Sequence, residues 1–282
     1  MNTRFLTIEG TVLKKCAKEA TGKIVIPESV TEIGWAAFSG CKSLTEIIIP
    51  KSVTKIGLMA FSGCSSLTEV VIPNSVTEIG GTAFAHCTSL TKVVIPENVT
   101  GILAGAFSEC SSLESIVVDS NNKVYDSRNN CNAIIDRETN TLISGCKSTV
   151  IPDGVTKIEW SAFEGCTGLT SIVIPDSVTE IRGYAFKGCT SLTSIEIPDS
   201  VTDLGQSVFI DCTSLEKVFL PNTIKKVGDF SFTQCSSLKS IDFCINSHIY
   251  TLALVYFIHI YARRGRIYFY FFVQNVKIEI RI

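Results

Sequence analysis

A repeat of 23 residues constrains the fold of this chain more than any other feature of its sequence. The spacing Phe-x-x-Cys marks its register, and one step of 23 residues leads from Phe38 to Phe61. A unit this short can bury its apolar side chains only against its neighbours, so stacked units must share a core. We therefore expect one solenoid, although 282 residues would also allow two ordinary domains. The marker phenylalanines are Phe38, Phe61, Phe84, Phe107, Phe163, Phe186, Phe209 and Phe232.

Each repeat begins with a segment in which apolar and polar residues alternate. In residues 43–49, the apolar positions are Leu44, Ile47 and Ile49, which predicts a strand with one buried face. A proline then ends the strand, because its ring fixes φ and removes a backbone donor. All eight prolines of the chain occupy this one position: Pro27, Pro50, Pro73, Pro96, Pro152, Pro175, Pro198 and Pro221.

The rest of each repeat is predicted to lead the chain to the next strand. Residues 53–56 form a second short extended segment with Val53 and Ile56 directed inward. The segment Ala-Phe-x-x-Cys predicts a single turn of α-helix or 3₁₀-helix that buries Phe and Cys. Neighbouring coils should lie about 4.8 Å apart, the ordinary spacing between strands. The predicted fold class is a β-rich solenoid with a parallel β-sheet on one face and short helical turns.

The regular array is expected at residues 28–243, between an N-terminal capping unit at 1–27 and an atypical tail at 244–282. The period breaks between Phe107 and Phe163, where residues 118–150 predict an irregular unit. This unit should contain a hairpin with the four-residue loop 137–140 and should belong to the same continuous core.

The two ends of the chain raise the question of its location. Residues 1–10 lack the apolar stretch of about 7–15 residues that a secretion signal needs. Removal of a signal, another export route and a location inside the cell all stay open. The tail has aromatic-rich runs at 249–261 and 267–273, and the longer run has 13 residues, whereas a membrane helix needs about 20. This length argues against membrane insertion, and it leaves a β-rich cap or an altered reading frame.

The twelve cysteines are predicted to be mainly buried thiols. Eight of them follow the marker phenylalanines at one repeat position, and cysteine behaves there as a small apolar side chain. Parallel Cβ directions in successive coils suit the dihedral angle of a disulfide poorly. One thiol per repeat also offers no paired ligands for zinc. Cys131 and Cys146 lie outside this column and are the better candidates for a disulfide.

The sequence predicts no catalytic, cofactor-binding or metal-binding residues. Its three histidines are His86, His248 and His259, and only His86 adjoins a cysteine of the column, which does not by itself align a base with a nucleophile. Residues 119–122 resemble a calcium loop superficially, but Lys123 and the missing glycine favour a plain turn. The net charge of −2 is spread along the chain and indicates no nucleic-acid partner.

One surface is a candidate for partner binding. If the residues equivalent to Ile47 and Ile49 point inward, alternation directs the residue between them outward. A stripe of exposed apolar side chains then runs along the sheet, edged by charged ones. β-branched residues also simply suit a sheet, so the pattern has two interpretations. The predicted partner-binding residues are Ile48, Val71, Val94, Val117, Val173 and Phe219, edged by Glu46, Glu69 and Lys92, with Glu196 and Asp242 breaking the stripe.

The repeat resembles a known family. The pattern Ile-Pro-x-Ser-Val-Thr-x-Ile-Gly-x-x-Ala-Phe-x-x-Cys-x-Ser-Leu-Thr, nearly intact at 49–68 and 174–193, is similar to BspA-like leucine-rich repeats. Residues 125–135 and 141–146 resemble a unit common in such proteins from gut and oral bacteria. The resemblance covers about residues 5–243. Pro-x-Ser-Val replaces the Asn-x-Leu part of the common leucine-rich pattern, so no ladder of asparagines is expected.

This resemblance implies a leucine-rich repeat solenoid without catalytic residues, in a family of mostly surface or secreted proteins. Several relatives are associated with adhesion, which implies a protein partner of the extracellular matrix or cell surface, or a glycan. A cytoplasmic location stays open, because no signal is visible. The alternatives are a structural or self-assembly module, driven by the tail or an array end, and an intracellular protein-interaction scaffold.

Overall fold

The structure is a computed structural model that describes residues 3–243, 258–263, 266–271 and 277–279, with side chains over 4–242. The predicted tail, including Cys244 and His248, otherwise lies outside the described residues. A 3₁₀ segment (Thr3–Phe5) precedes the first strands. These are β1 (Leu6–Glu9), β2 (Val12–Cys16), β3 (Gly22–Val25), β4 (Glu32–Ile33), β5 (Leu44–Ile48), β6 (Lys55–Ile56), β7 (Glu69–Val70), β8 (Glu78–Ile79), β9 (Lys92–Ile95), β10 (Gly101–Ile102) and β11 (Ser115–Val118).

The remaining strands follow after the break in the repeat. They are β12 (Tyr125–Asp126), β13 (Ala133–Asp136), β14 (Thr141–Gly145), β15 (Lys157–Ile158), β16 (Glu180–Ile181), β17 (Ser194–Glu196), β18 (Asp203–Leu204), β19 (Lys217–Leu220), β20 (Lys226–Val227) and β21 (Ser240–Phe243). A short 3₁₀ segment (Arg128–Asn130) lies between β12 and β13. In the tail, β22 (Ile258–Arg263), β23 (Arg266–Phe271) and β24 (Lys277–Glu279) form a three-stranded antiparallel sheet.

Each coil of the first half contributes to two sheets. The longer strands, which precede the prolines, pair in the order β3-β5-β7-β9-β11 with parallel register. The short strands that follow the prolines, β4, β6, β8 and β10, extend the antiparallel hairpin of β1 and β2, so that this sheet has the order β1-β2-β4-β6-β8-β10. The second half repeats this arrangement, with β17-β19-β21 as long strands and β12-β13-β14-β15-β16-β18-β20 as the other sheet. The predicted solenoid is confirmed, and it has about 10 turns.

The Ala-Phe-x-x-Cys segments form hydrogen-bonded turns in place of the predicted turn of helix. Two residues before each phenylalanine, φ is positive, as at Ala36 (51°). A residue with positive φ interrupts a right-handed helix, because every residue of such a helix needs negative φ. The N–H groups of Phe38 and Gly40 instead donate to carbonyls of the next coil, at 2.7 Å each. The residues at this repeat position in the other coils also have positive φ: Met59, Thr82, Gly105, Ser161, Tyr184, Ser207 and Phe230.

Two columns of side chains fill the core. The rings of Phe38 and Phe61 stack with centroids 5.0 Å apart, and the column continues to Phe84 and Phe107. The cysteine column is buried as predicted, and the described thiols are free. Six thiols of the column donate to the carbonyl of the preceding coil's phenylalanine, as Cys64 does to Phe38 at 3.2 Å, whereas Cys41 donates to Cys16 and Ala17 and Cys166 donates to Gly145. The same bond recurs at Cys87, Cys110, Cys189, Cys212 and Cys235.

The core is not continuous, contrary to the prediction, because it divides at the irregular unit. Strand β13 is buried on both faces, so alternation directs its side chains to opposite sides. Ile134 packs in the core of the first half, whereas Ala133 and Ile135 pack in that of the second. The antiparallel pairing of β13 with β14 encloses the loop 137–140. The free thiols of Cys131 and Cys146 are also buried on opposite sides of this division.

Candidate functional site

Outward residues within or directly after strands β5, β7, β9 and β11 form an exposed apolar surface in the first half. We call Ile48, Val71, Val94 and Val117 the valine stripe. Their neighbours Ile47, Val70, Val93 and Ile116 are buried, as alternation requires. All four residues of the stripe are exposed, and Val71 is 67% exposed. The register places Val94 directly beside Val117.

Charged residues line one side of the valine stripe. Lys23 and Glu46 pair across adjacent strands, with Nζ and Oε1 2.8 Å apart. Glu69 lies in register between Glu46 and Lys92. Within residues 4–242, neither Glu69 nor Lys92 is in a salt bridge. The stripe is therefore flanked by one carboxylate and one ammonium group that are free to pair with a partner.

The predicted residues of the second half are separated from this stripe by the irregular unit. Val173 is 82% exposed, and Phe219 is exposed between Glu196 and Asp242 in the sheet. Val150 occupies the position equivalent to Val173 and is 72% exposed, although the prediction omitted it. The sequence Thr-Val-Ile-Pro at 149–152, which restores the register, could have revealed it.

A second row of exposed apolar side chains lies on the turns and was missed by the prediction. Its members lie between the second short strand of each coil and the marker phenylalanine that follows it. Its members occupy three consecutive repeat positions, and the middle position differs from coil to coil, from Trp at 35 and 160 to Gly at 81 and 183. Comparison of this position between repeats was the signal that could have found it. The exposed members are Trp35, Leu58, Met59, Leu103, Trp160 and Phe230.

The described residues do not assemble a nucleophile with a base. Cys87 donates its thiol proton inward to the Phe61 carbonyl at 3.3 Å, while His86 is exposed on the surface. Burial raises the pKa of Cys110 and of Cys235 to about 12, and it raises the pKa of Cys87 well above the ordinary value. These thiols stay protonated near neutral pH and are poor nucleophiles.

The described residues contain no group of three or more His, Cys, Asp or Glu side chains arranged to hold a metal ion. Nor does that part of the chain contain a helix with the length and apolar composition that crossing a membrane takes.

Comparison with known proteins identifies similar repeats. Residues 7–134 and 140–257 match the model of the BspA type leucine rich repeat region, in six copies. None of the curated proteins matches the sequence. A leucine-rich repeat protein from Eubacterium ventriosum is 29% identical, with a TM-score of 0.70, over 78% of this chain and 59% of its own.

Two more solved structures extend this comparison. A leucine-rich repeat protein from Bacteroides ovatus is 30% identical, with a TM-score of 0.57, over 85% of this chain and 62% of its own. A leucine-rich cell surface protein from Faecalibacterium prausnitzii is 25% identical, with a TM-score of 0.55, over 86% of this chain and 87% of its own. The chain thus spans about three fifths of the first two proteins.

Proposed function

Because this chain belongs to the family of BspA-type leucine-rich repeat proteins, we propose that it is a non-catalytic scaffold that binds a protein partner through the valine stripe. The partner we propose is a protein of the extracellular matrix or of a cell surface. This makes the chain an adhesion protein, exposed on the cell or secreted. The similar protein from Faecalibacterium prausnitzii, described as a cell surface protein, supports this location.

The exposure of the valine stripe is the observation that carries the proposal. Apolar residues on successive strands form one contiguous surface, because strands lie about 4.8 Å apart. Contiguous exposed apolar surface is a common mark of a protein-binding site on a soluble protein. Val71 and Val94 lie at its centre, between Ile48 and Val117. Truncation of central, well-packed interface residues usually costs the most binding energy.

The unpaired charges of Glu69 and Lys92 beside the valine stripe indicate which charges the partner should carry. A partner that covers Val71 and Val94 would also cover parts of Glu69 and Lys92, and each charge removed from water needs an opposite charge. We therefore expect an apolar ridge on the partner, with a cation opposite Glu69 and an anion opposite Lys92. Reversal of either charge should slow association and make it depend differently on salt concentration.

The stripe can be tested by placing charge at its centre. The double variant Val71→Lys, Val94→Lys should bind an immobilised extracellular matrix extract at least about tenfold more weakly, because two ammonium groups would be buried in an apolar contact. Both positions are exposed, so the fold should be retained and the circular dichroism spectrum should not change.

A matched control places the same charges on a different sheet of the same coils. Thr77→Lys with Thr100→Lys adds two exposed lysines beside the short strands β8 and β10. This control should bind the extract as the unaltered chain does. Equal binding by the stripe variant and the control would reject the valine stripe as the binding surface.

A further inference from the structure

Two aromatic side chains on the turns form a surface unlike that of any other described coil. Trp160 and Tyr184 belong to successive coils, and their ring centroids lie 6.1 Å apart with planes inclined by 40°. We call this pair the aromatic shelf. Trp160 is 39% exposed and Tyr184 is partly exposed, so a ligand can reach both side chains in part.

The backbone beneath the shelf holds both rings in place. Gly183 occupies the same repeat position as Trp160, and a Cβ there would overlap the indole ring. The missing side chain therefore lets the indole ring approach the backbone of the next coil closely. Tyr184 has a φ of 57°, which is uncommon for an aromatic residue. The ammonium group of Lys187 lies 5.9 Å from the centroid of its ring.

Hydrogen-bonding groups in fixed positions border the shelf. The guanidinium group of Arg182 donates to both oxygens of Glu159 at 2.9 Å and to Glu180 at 2.7 Å. The bond from Arg182 lowers the pKa of Glu180, which therefore remains ionised near neutral pH. Next to the Tyr184 ring, Lys187 pairs with Glu164 at 2.7 Å. Each of these groups keeps lone pairs or protons that a ligand could use.

We propose that the aromatic shelf binds a neutral pyranose sugar, stacked on the Trp160 ring, with its hydroxyl groups hydrogen-bonded to the Glu159–Arg182 pair. One face of a β-linked pyranose carries mainly C–H groups, and its equatorial hydroxyls point outward from the ring edge. A partly exposed indole ring bordered by planar donors and acceptors matches both parts of such a ligand. Tyr184, inclined to Trp160, would contact the second face or the next sugar of a chain.

The size of the apolar surface favours a sugar over a protein. A fully covered aromatic side chain buries about 150–250 Å², so two partly exposed rings offer less than about 400 Å². Specific protein interfaces bury about 800 Å² on each partner. At the repeat positions of the two rings, the preceding coil has Ala104 and Gly105 and the following coil has Gln206 and Ser207, while the exposed Leu103 lies at the repeat position of Glu159. The shelf thus ends after two rings, which is the extent of one or two sugar units.

The charges around the shelf favour a neutral sugar over an acidic one. The ion-paired groups comprise four carboxylates and three cations, so a sialic acid or a sulfated sugar would meet an excess of negative charge. These groups are Glu109, Glu159, Glu164 and Glu180 with Lys157, Arg182 and Lys187.

The two tryptophans of the chain allow a direct test. In a Trp35→Phe background, Trp160 is the only indole and reports on the shelf. The full chain would be titrated with cellotetraose and with the trimer of N-acetylglucosamine, into the millimolar range, while tryptophan fluorescence is recorded. We expect a saturable change with at least one of the two neutral sugars, and at least tenfold weaker binding of sialyllactose.

Variants of the shelf complete the test. Tyr184→Gly removes one ring at a backbone position that glycine adopts readily, so this variant should fold and bind at least tenfold more weakly. The matched control is Trp35→Phe itself, since Trp35 is the equivalent tryptophan of the first half and lies beside Leu58 instead of a glycine. No saturable change with either neutral sugar, or equal affinity in the Tyr184→Gly variant, would overturn the proposal.

The sugar site is independent of the valine stripe, because the two lie on different segments and in different halves of the solenoid. Loss of sugar binding in Tyr184→Gly should leave binding to the matrix extract unchanged. If Tyr184→Gly and Val71→Lys, Val94→Lys each abolish both kinds of binding, one surface serves a single glycoprotein ligand and the independent sugar site is refuted.

Discussion

The division of the core predicts that the two halves of the solenoid respond separately to a mutation in one of them. Phe84 is fully buried and stacks on both neighbours, with centroids 5.1 Å from Phe61 and 5.4 Å from Phe107. Removal of a buried phenylalanine costs about 3–5 kcal/mol, which includes the cavity that remains. Because two stacked contacts are lost, we expect Phe84→Ala to lower the free energy of unfolding of the first half by about 4–5 kcal/mol.

The matched comparison is Phe232→Ala near the end of the column. Phe232 is only partly buried, and the described stacking contact of its ring is with Phe209, at 5.7 Å. One weaker contact and less burial should reduce the cost to about 1–3 kcal/mol. In a repeat protein, stability is close to a sum of units and interfaces, so an interior ring should contribute more than a terminal one.

Urea titrations followed by tryptophan fluorescence measure this effect in each half. Trp160→Phe leaves Trp35 as the reporter of the first half, and Trp35→Phe leaves Trp160 as the reporter of the second. With a urea dependence of about 2 kcal/mol per molar, Phe84→Ala should lower the midpoint seen by Trp35 by about 2 M. The midpoint seen by Trp160 should fall by less than half of this.

Two results would refute this reasoning. Equal shifts at both reporters would mean that the halves unfold as one cooperative unit in spite of the divided core. A shift below about 0.5 M at Trp35 would mean that the phenylalanine column contributes little beyond the strands on either side.

Further predictions concern the thiol column, the glycines and the two binding surfaces. Burial raises the pKa of Cys110 and Cys235 from 9.0 to about 12. The contribution of these two thiols to stability is therefore complete below pH 9 and is lost as pH rises towards 12. Circular dichroism should show alkaline unfolding in that range, and a Cys110→Ala, Cys235→Ala variant should unfold at higher pH. Gly57→Ala should cost about 1–3 kcal/mol in urea titration, because its Cβ would lie 2.8 Å from the Gly34 carbonyl carbon. Gly101→Ala, with 3.7 Å to the nearest atom, should cost less than about 1 kcal/mol. Val71→Lys, Val94→Lys should weaken matrix binding at least about tenfold, and Tyr184→Gly should do the same to sugar binding without altering matrix binding.

The sequence was sufficient to predict the parts of the fold that depend on periodic burial. The prolines located the strand ends, and the markers from Phe38 to Phe232 located the core columns. The turn conformation was harder, because the left-handed residue is Ala36 in one coil and Met59 in the next. No residue type marks that position. Its conformation arises from hydrogen bonds to the neighbouring coil, which supply partners that a helix would have supplied internally.

Local sequence patterns also could not predict the division of the core. In β13, Ala133, Ile134 and Ile135 form a short apolar run, which is typical of a strand buried on both faces. The run does not say whether its two faces contact one core or two. That depends on where the 56-residue step from Phe107 to Phe163 places the hairpin relative to both halves, and this is a property of the assembled chain.

Of the two candidate surfaces, strand alternation predicted the first and could not predict the second. The valine stripe follows from the period of two residues along each strand, which Ile48 and Val71 obey. The aromatic shelf depends on a relation between residues 23 positions apart, in which Gly183 leaves room for Trp160. The ion pairs obey the same relation, as Lys23 with Glu46 and Glu159 with Arg182 show.

This relation explains how a uniform core can carry different binding sites. Because every coil repeats the same path, a side chain at a given repeat position lies beside its counterpart in the next coil. Phenylalanine and cysteine recur at the buried positions, so the path is maintained while outward positions vary freely. Two coils are then enough to build a local site, and neighbouring coils need not contribute. We therefore expect functional sites of this solenoid where outward residues change abruptly from one coil to the next, as they do from Ala104 to Trp160 and again to Gly183.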